Sequence, residues 1–205
     1  MFHNLRGYDG HLLISAVKKD MMNELDESGE RISSIPNNME KYITFSIGQL
    51  QFIDSFQFMT ESLDNRAKNL SVDDLKITAE KCKAGMFDLL RKKGIYPYDY
   101  FNSMDRFAET CLPPRNKFYS QLTRHKITDE EYLHALNVWE RGECKTLGDY
   151  HDVYLETDVL LLADVFEKFR TTSMKNYKLD PAYFYSAAGL SWQAMLKMTK
   201  VRLQL

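Results

Sequence analysis

Apolar and polar residues alternate along the run from position 42 to position 54. The apolar positions on the two sides of Gly48 are Ile43, Phe45, Ile47, Leu50 and Phe52. Alternation with a period of two is typical of strands that bury one face, and a glycine between two such runs favours a tight turn. The pattern therefore predicts two antiparallel strands joined near Gly48.

Apolar residues recur at helical spacing in four other parts of the chain. The predicted helices run from Asp9 to about Met22, from Ser71 to about Lys92, from Thr128 to about Arg141, and from Leu147 to about Asn176. Ser71 can cap the second helix, and Thr128 with Glu131 forms a capping box at the start of the third. The connection after the first helix has room for one short strand, Ile32 to Ile35. Asp180-Pro181 ends the last helix, because proline lacks the backbone donor.

Composition narrows the class of protein. The chain has 205 residues, of which 44% are hydrophobic and 27% charged, as in a soluble globular protein. The net charge of -2 gives no overall attraction for nucleic acid, so DNA binding requires a local patch or groove. The cysteines, Cys82, Cys111 and Cys144, show no metal-ligand spacing, and reduced thiols in an intracellular protein are expected. We expect no signal peptide and no membrane span.

Tyr154 and Asp158 are candidate chemical residues of the last predicted helix. They are four residues apart, so both side chains emerge from one face, which Leu161 and Val165 continue towards the core. A carboxylate on that side is costly unless it has a partner, and a divalent cation is a natural one. Taken alone, Tyr-x-x-x-Asp is also compatible with an aspartate at the edge of a buried stripe that bonds to a neighbour or reaches solvent. That structural interpretation is favoured for the isolated motif.

Asn4 and Asp9 flank Gly7 just before the first predicted helix. An aspartate in front of an apolar run can serve as a helix N-cap. An amide and a carboxylate at this spacing could also hold a ligand. For the isolated pair the capping interpretation is favoured.

Several motifs in sequence order resemble those of protein-primed family B DNA polymerases, the class found in phages, linear plasmids and Polinton-type transposons. The segment Phe2 to Leu12 resembles the second exonuclease motif, and Tyr154 to Asp158 the third. Between and after them lie segments similar to further motifs of that family: Phe52 to Ser55, Ser62 to Asn65, Lys93 to Tyr96, Tyr150 to Arg170, and Asp180 to Trp192. The resemblance covers the whole chain.

This resemblance implies a role for particular residues. Asp9 and Asp158 would bind two divalent metals, Mg²⁺ or Mn²⁺, and Tyr154 would orient water or the scissile phosphate. Lys93 would help to position the phosphate, with Lys92 as the alternative if the register is shifted. The remaining residues would contact the DNA: His3, Asn4 and Tyr8 the single-stranded 3′ end, and Ser62 and Leu63 that strand or the terminal protein that primes synthesis.

The implied fold class is α/β, a ribonuclease-H-like 3′–5′ exonuclease domain that lacks its first strands and has a helix-rich C-terminal half. It would span residues 1–170, and the start of the polymerase domain would span residues 171–205. No Asp-x-Glu motif precedes Asn4, and the palm motifs are missing, so we expect a fragment that is inactive alone. Arg66 stands where the motif around Ser62 favours an apolar residue. The alternative is a non-catalytic, transposon-derived module that binds single-stranded DNA or a protein.

Overall fold

The computed structural model describes residues 1–5, 9–17, 31–38, 41–201 and 203. They form two compact units, one of Met1–Glu61 with Lys168–Leu205 and one of Ser62–Glu167. The functional boundary expected near residue 170 is a different kind of division and stays a prediction. Each unit is described by itself below.

The first unit contains a three-stranded antiparallel sheet in the order β1-β2-β3. Its strands are β1 (Ile32–Asn38), β2 (Lys41–Ile47) and β3 (Leu50–Ile53). Phe45 of β2 lies opposite Phe52 of β3, and their rings stack with centroids 4.5 Å apart. Gly48 takes a φ of 58° in the turn between β2 and β3. The predicted hairpin is confirmed, and β1 is longer than the strand expected there.

The helices of the first unit lie near the two ends of the chain. Helix α1 is Asp9–Ser15, which is shorter than the helix predicted from Asp9 to Met22. Residues 18–22 of that prediction lie outside the described part of the chain. Near the other end, a 3-10 turn at Pro181–Tyr183 follows Asp180, whose carboxylate accepts hydrogen bonds from Nε and Nη2 of Arg170.

The second unit is helical in the residues that the structure describes. Its helices are α2 (Leu63–Lys68), α3 (Lys76–Lys81), α4 (Phe87–Leu90), α5 (Asp129–Arg141) and α6 (Leu147–Tyr177), of which α6 belongs to this unit as far as Glu167. The last helix of the chain, α7 (Ala187–Thr199), belongs to the first unit. A core of buried residues from α4, α5 and α6 includes Leu90, Ala135 and Tyr150.

The single helix predicted from Ser71 to Lys92 is wrong. Ser71 and Asp74 instead close a 3-10 turn, because the Asp74 carboxylate accepts the Ser71 backbone N–H at 3.1 Å. Helix α3 ends at Lys81, and the chain then passes through an extended Cys82 and through Gly85, whose φ is 79°. A positive φ of that kind is available to glycine at little cost and interrupts the helix before α4.

The two later helices are confirmed. Glu131 accepts the Thr128 N–H at 2.7 Å, and the Thr128 hydroxyl accepts the Glu131 N–H at 3.1 Å, which is the predicted capping box of α5. Helix α6 ends within a residue of the predicted position. Among the described residues, no helix has the length and apolar character needed to cross a membrane. The fold is thus mixed α/β, with a small antiparallel sheet and many helices.

Candidate functional site

Lys93, Tyr154 and Asp158 come together in the second unit. Helix α6 presents Tyr154 and Asp158 from consecutive turns, as their spacing predicts. The Lys93 Nζ lies 3.8 Å from Asp158 Oδ2, and the two side chains are 33% and 25% exposed. Asp158 Oδ1 is buried and has no hydrogen-bond partner among the described residues. The cluster therefore contains a buried carboxylate oxygen that no hydrogen bond within the described residues satisfies.

The electrostatics of this cluster follow from its burial. Burial raises the pKa of the Asp158 carboxyl, and the neighbouring Lys93 ammonium and Tyr154 hydroxyl offset only part of that shift. The pKa of the Tyr154 phenol is raised mainly by burial and also by its hydrogen bond with Tyr98. The phenol therefore stays protonated at neutral pH and can donate a hydrogen bond. A positive ion beside Asp158 would stabilise its charged form.

The segment Lys93–Tyr98 runs along α6 and fixes Tyr154; we call it the tyrosine segment. The hydroxyl of its Tyr98 is hydrogen-bonded to the Tyr154 hydroxyl. The ring of its Tyr96 stacks on Tyr154 with centroids 4.5 Å apart, and the Tyr96 hydroxyl lies 2.6 Å from His151 Nδ1. The Tyr96 ring and the Tyr98 hydroxyl thus hold Tyr154 beside Asp158.

Gly94 of the tyrosine segment makes the closest approach to Tyr154. A Cβ atom at this position would lie 2.8 Å from Tyr154 Cδ2, which is inside van der Waals contact. Every residue other than glycine would therefore push the segment or the Tyr154 ring away. The glycine lets Lys93 reach Asp158 while the backbone passes over the tyrosine ring.

The N-terminal candidates lie in the first unit, where Asp54 and Ser55 hold them. Phe2 forms a parallel bridge with Asp54, and the Phe2 N–H donates to the Ile53 carbonyl at 2.9 Å. The Asn4 N–H donates to Asp54 Oδ1 at 2.7 Å. His3 Nδ1 lies 3.0 Å from Ser55 Oγ. Asp54 and Ser55, which follow β3, thus hold the backbone of residues 2–4 in place.

Asn4 and Asp9 differ in how the structure places them. Asn4 has a φ of 64° and an exposed side chain, and asparagine tolerates this left-handed conformation better than most residues. Asp9 is exposed and is the first residue of α1 itself, not the cap before it. A carboxylate in the first helical turn is favoured by the helix dipole. Tyr8, the third candidate here, lies outside the described residues.

Ser62 and Leu63 stand at the start of α2. The Ser62 hydroxyl caps this helix by accepting the Asn65 N–H at 3.3 Å. Leu63 packs against a buried cluster that includes Ala67 and Leu161. Both residues thus have a structural task in this unit, and their contact with DNA or a terminal protein stays a prediction.

The candidates therefore fall into two sets, one in each unit: Lys93, Tyr154 and Asp158 in the second, and His3, Asn4 and Asp9 in the first. No group of three or more His, Cys, Asp or Glu side chains that could hold a metal ion exists among the described residues. Sequence reasoning missed Gly94, Tyr98 and Asp54 as supporting residues. Gly94 and Asp54 lie inside segments that resemble family motifs, and Tyr98 lies two residues after one of them.

A family model described as DNA polymerase type B, organellar and viral, matches residues 1–203. The chain belongs to this family. The match confirms the resemblance drawn from the motifs, and the parent enzymes are DNA polymerases, which bind DNA, transfer nucleotides and generally use divalent metals. No curated protein and no solved structure is significantly similar to the chain.

Proposed function

We propose that this chain carries part of the 3′–5′ proofreading exonuclease of a type B DNA polymerase, in a ribonuclease-H-like fold. The observation that supports this best is Asp158 Oδ1, which is buried without a partner beside Lys93 and Tyr154. A buried acceptor without a donor costs about 1–3 kcal/mol. A structure that retains such an oxygen next to a lysine and a tyrosine is suited to receive a ligand there.

Asp158 fits one ligand position of a divalent cation, since its buried Oδ1 has no hydrogen-bond partner among the described residues. Asp9, in the first unit, is an exposed carboxylate. Mg²⁺ and Mn²⁺ prefer carboxylate oxygen ligands, so Asp158 would be one protein ligand, and Asp9 is the second that the family resemblance implies. When bound, such ions supply Lewis-acid activation of water and of the scissile phosphodiester.

The neighbours of Asp158 would orient the DNA end. Tyr154 keeps its proton and is held by Tyr96 and Tyr98, so it can donate a hydrogen bond to the attacking water or to a phosphate oxygen. Lys93 places its ammonium 3.8 Å from Asp158, where it can attract the scissile phosphate. Positioning of this kind lowers the barrier because the reacting groups are already aligned.

The single-stranded 3′ end would be held by His3, Asn4 and Tyr8. The Asn4 backbone is fixed by Asp54 while its side chain remains exposed, which leaves the amide available to a nucleotide. Ser62 and Leu63 would add a contact to the strand or to a terminal protein.

We propose further that a polypeptide of this sequence is inactive as an exonuclease by itself. It supplies two of the four metal-binding carboxylates that the family resemblance implies. Incubation with a 5′-labelled single strand and Mg²⁺ or Mn²⁺ should leave the strand intact. Excision that Asp158→Ala abolishes would contradict the inactivity and would support the exonuclease assignment.

Manganese binding tests the proposed site without requiring turnover. Titration of the chain with Mn²⁺, followed by electron paramagnetic resonance, should show binding that Asp158→Asn weakens. Asp152→Asn is the matched control, because Asp152 is an exposed aspartate on the same helix. Equal Mn²⁺ binding by the wild type and both variants would contradict the proposed role of Asp158.

A further inference from the structure

Residues 119–126 of the second unit form a projecting turn, which we call the basic turn. Its two arms meet where the Ser120 N–H donates to the His125 carbonyl at 3.1 Å in an isolated antiparallel bridge. Phe118 and Ile127, which flank the turn, are both buried in the hydrophobic core. The turn is therefore anchored at its base and presents its own side chains to solvent.

The basic turn and the residues just before it carry positive charge without negative charge. Positions 115–126 contain Arg115, Lys117, Arg124 and Lys126, and no aspartate or glutamate. Arg115 already has partners, since it donates a hydrogen bond to the Ile127 carbonyl at 3.0 Å and forms an ion pair with Asp129.

The other three cations, Lys117, Arg124 and Lys126, are exposed, and no ion pair engages them in the described part of the chain. The bridge between Ser120 and His125 places Arg124 and Lys126 in the arm opposite Tyr119 and Gln121. In a protein with a net charge of -2, this is a local positive surface.

A cleft of about 240 Å³ lies beside the basic turn, and Tyr100, Asn116, Lys117, Tyr119 and Gln121 line part of it. The other charged side chains that line the cleft, Asp99 and Arg106, each make a hydrogen bond within the described residues. Asp99 accepts the Gln121 N–H at 2.6 Å. Arg106 lies 4.3 Å from the centre of the Tyr100 ring and donates to Glu109 at 2.6 Å.

The groups left for a ligand are of three kinds. Asn116 offers an amide, Lys117 a cation, and Tyr119 a ring that is 37% exposed. No hydrogen bond engages these three side chains within the described residues. An aromatic face with amides and a cation beside it is the chemistry that binds a nucleotide base and its phosphate.

We propose that the cleft and the basic turn form a binding site for single-stranded nucleic acid. One base stacks on Tyr119 in the cleft, and Lys117, Arg124 and Lys126 contact the phosphates on either side of it. The strand must be single, because a base that is paired and stacked in a duplex does not offer its face to the tyrosine ring. None of these residues belongs to the Lys93–Tyr154–Asp158 cluster, and the proposal does not depend on that cluster binding metal.

Fluorescence anisotropy with a short fluorescein-labelled oligothymidylate tests this site, in a buffer with EDTA so that divalent metal plays no part. Tyr119→Ala should weaken binding roughly 5- to 150-fold, since stacking is worth about 1–3 kcal/mol per base. On a single strand, each phosphate contact contributes about 0.7 to the slope of log affinity against log salt. The triple variant Lys117→Gln, Arg124→Gln, Lys126→Gln should therefore reduce that slope by about 2.

Two controls separate the possible outcomes. Lys76→Gln with Arg91→Gln removes two exposed charges elsewhere in the same unit and should change binding less than the triple variant does. Asp152→Asn removes an exposed charge of α6 outside the proposed exonuclease cluster and should leave binding unchanged. Circular dichroism and thermal unfolding would show that every variant folds.

The proposal would be overturned by wild-type affinity in the triple variant, or by an equal loss in the control pair. It would also be overturned by equal affinity for duplex DNA, or by no measurable binding at all.

Discussion

Replacing Gly94 with alanine tests the packing that positions Tyr154. The added Cβ would lie 2.8 Å from Tyr154 Cδ2. The Tyr154 ring cannot simply turn away, because it is 7% exposed, stacks on Tyr96 and is hydrogen-bonded to Tyr98. Either the tyrosine segment or the ring must therefore move.

The expected cost is about 1–3 kcal/mol, the usual penalty for adding a methyl group to a packed site. For a chain of this length, each kcal/mol lowers the melting temperature by about 2–4 °C. The matched control is Gly189→Ala in α7, where the nearest atom to the new Cβ would be Phe184 Cδ1 at an ordinary 3.9 Å. That control should be neutral or should stabilise by up to about 1 kcal/mol, because alanine favours helix more than glycine does.

Urea unfolding of a double-mutant cycle shows whether the clash is with Tyr154. Tyr154→Ala removes the ring, so Gly94→Ala should cost much less in that background than in the wild type. A coupling free energy of about 1 kcal/mol or more is expected. The same cost for Gly94→Ala in both backgrounds would refute the contact, and so would a penalty in Gly189→Ala as large as that in Gly94→Ala.

Three further substitutions have defined outcomes. Asp158→Asn should raise the urea midpoint at neutral pH, because burial raises the pKa of Asp158 and so disfavours its charged form. This increase in the urea midpoint should shrink as the pH falls through that raised pKa. Asp164→Asn should cost about 2–3 kcal/mol in urea unfolding, because the two Asp164 oxygens accept two backbone N–H groups at 2.8 and 2.9 Å and an amide can accept only one of them. Hydrogen bonds from Arg170 hold the pKa of Asp180 below its ordinary value, so Arg170→Met should raise that pKa in an NMR titration. The ion pair's contribution to stability is present at neutral pH and is lost as the pH falls through the lowered pKa.

Each of these three outcomes can fail in a specific way. A lower urea midpoint for Asp158→Asn at neutral pH would show that Lys93 stabilises the carboxylate more than burial opposes it. Wild-type stability in Asp164→Asn would mean that the two backbone donors find other acceptors. An unchanged Asp180 titration in Arg170→Met would remove Arg170 as the cause of the shift.

The sequence predicted the elements whose signals are local. The alternation around Gly48 and the capping box at Thr128 and Glu131 each specify a structure within a few residues, and both are confirmed. The prediction of one helix from Ser71 was wrong for two reasons. The first is local, because Gly85 interrupts the helix, and the second is a contact with a residue far away in the sequence. Asp164 accepts the N–H groups of Ile77 and Thr78 and so fixes where α3 begins, although it is 86 positions away from Thr78.

The candidate site was predictable only in part. The spacing of Tyr154 and Asp158 placed both on one face of α6, and the family motifs pointed to Lys93. Neither indicated that Asp158 Oδ1 would be buried without a partner, because burial depends on the packing of the whole unit. The hydrogen bond between Tyr98 and Tyr154 was equally hidden, since it joins two segments far apart in the sequence.

The most direct test of the central claim locates bound Mn²⁺ relative to Tyr154. In an NMR spectrum of the chain with ¹³C-labelled tyrosine, the Tyr154 ring signal is assigned by its loss in Tyr154→Phe. Small additions of Mn²⁺ should broaden that signal in the wild type and should leave it sharp in Asp158→Asn, since the ion binds beside the Asp158 carboxylate. A Tyr154 signal that stays sharp in the wild type, or that broadens equally in Asp158→Asn, would contradict a metal site at Asp158.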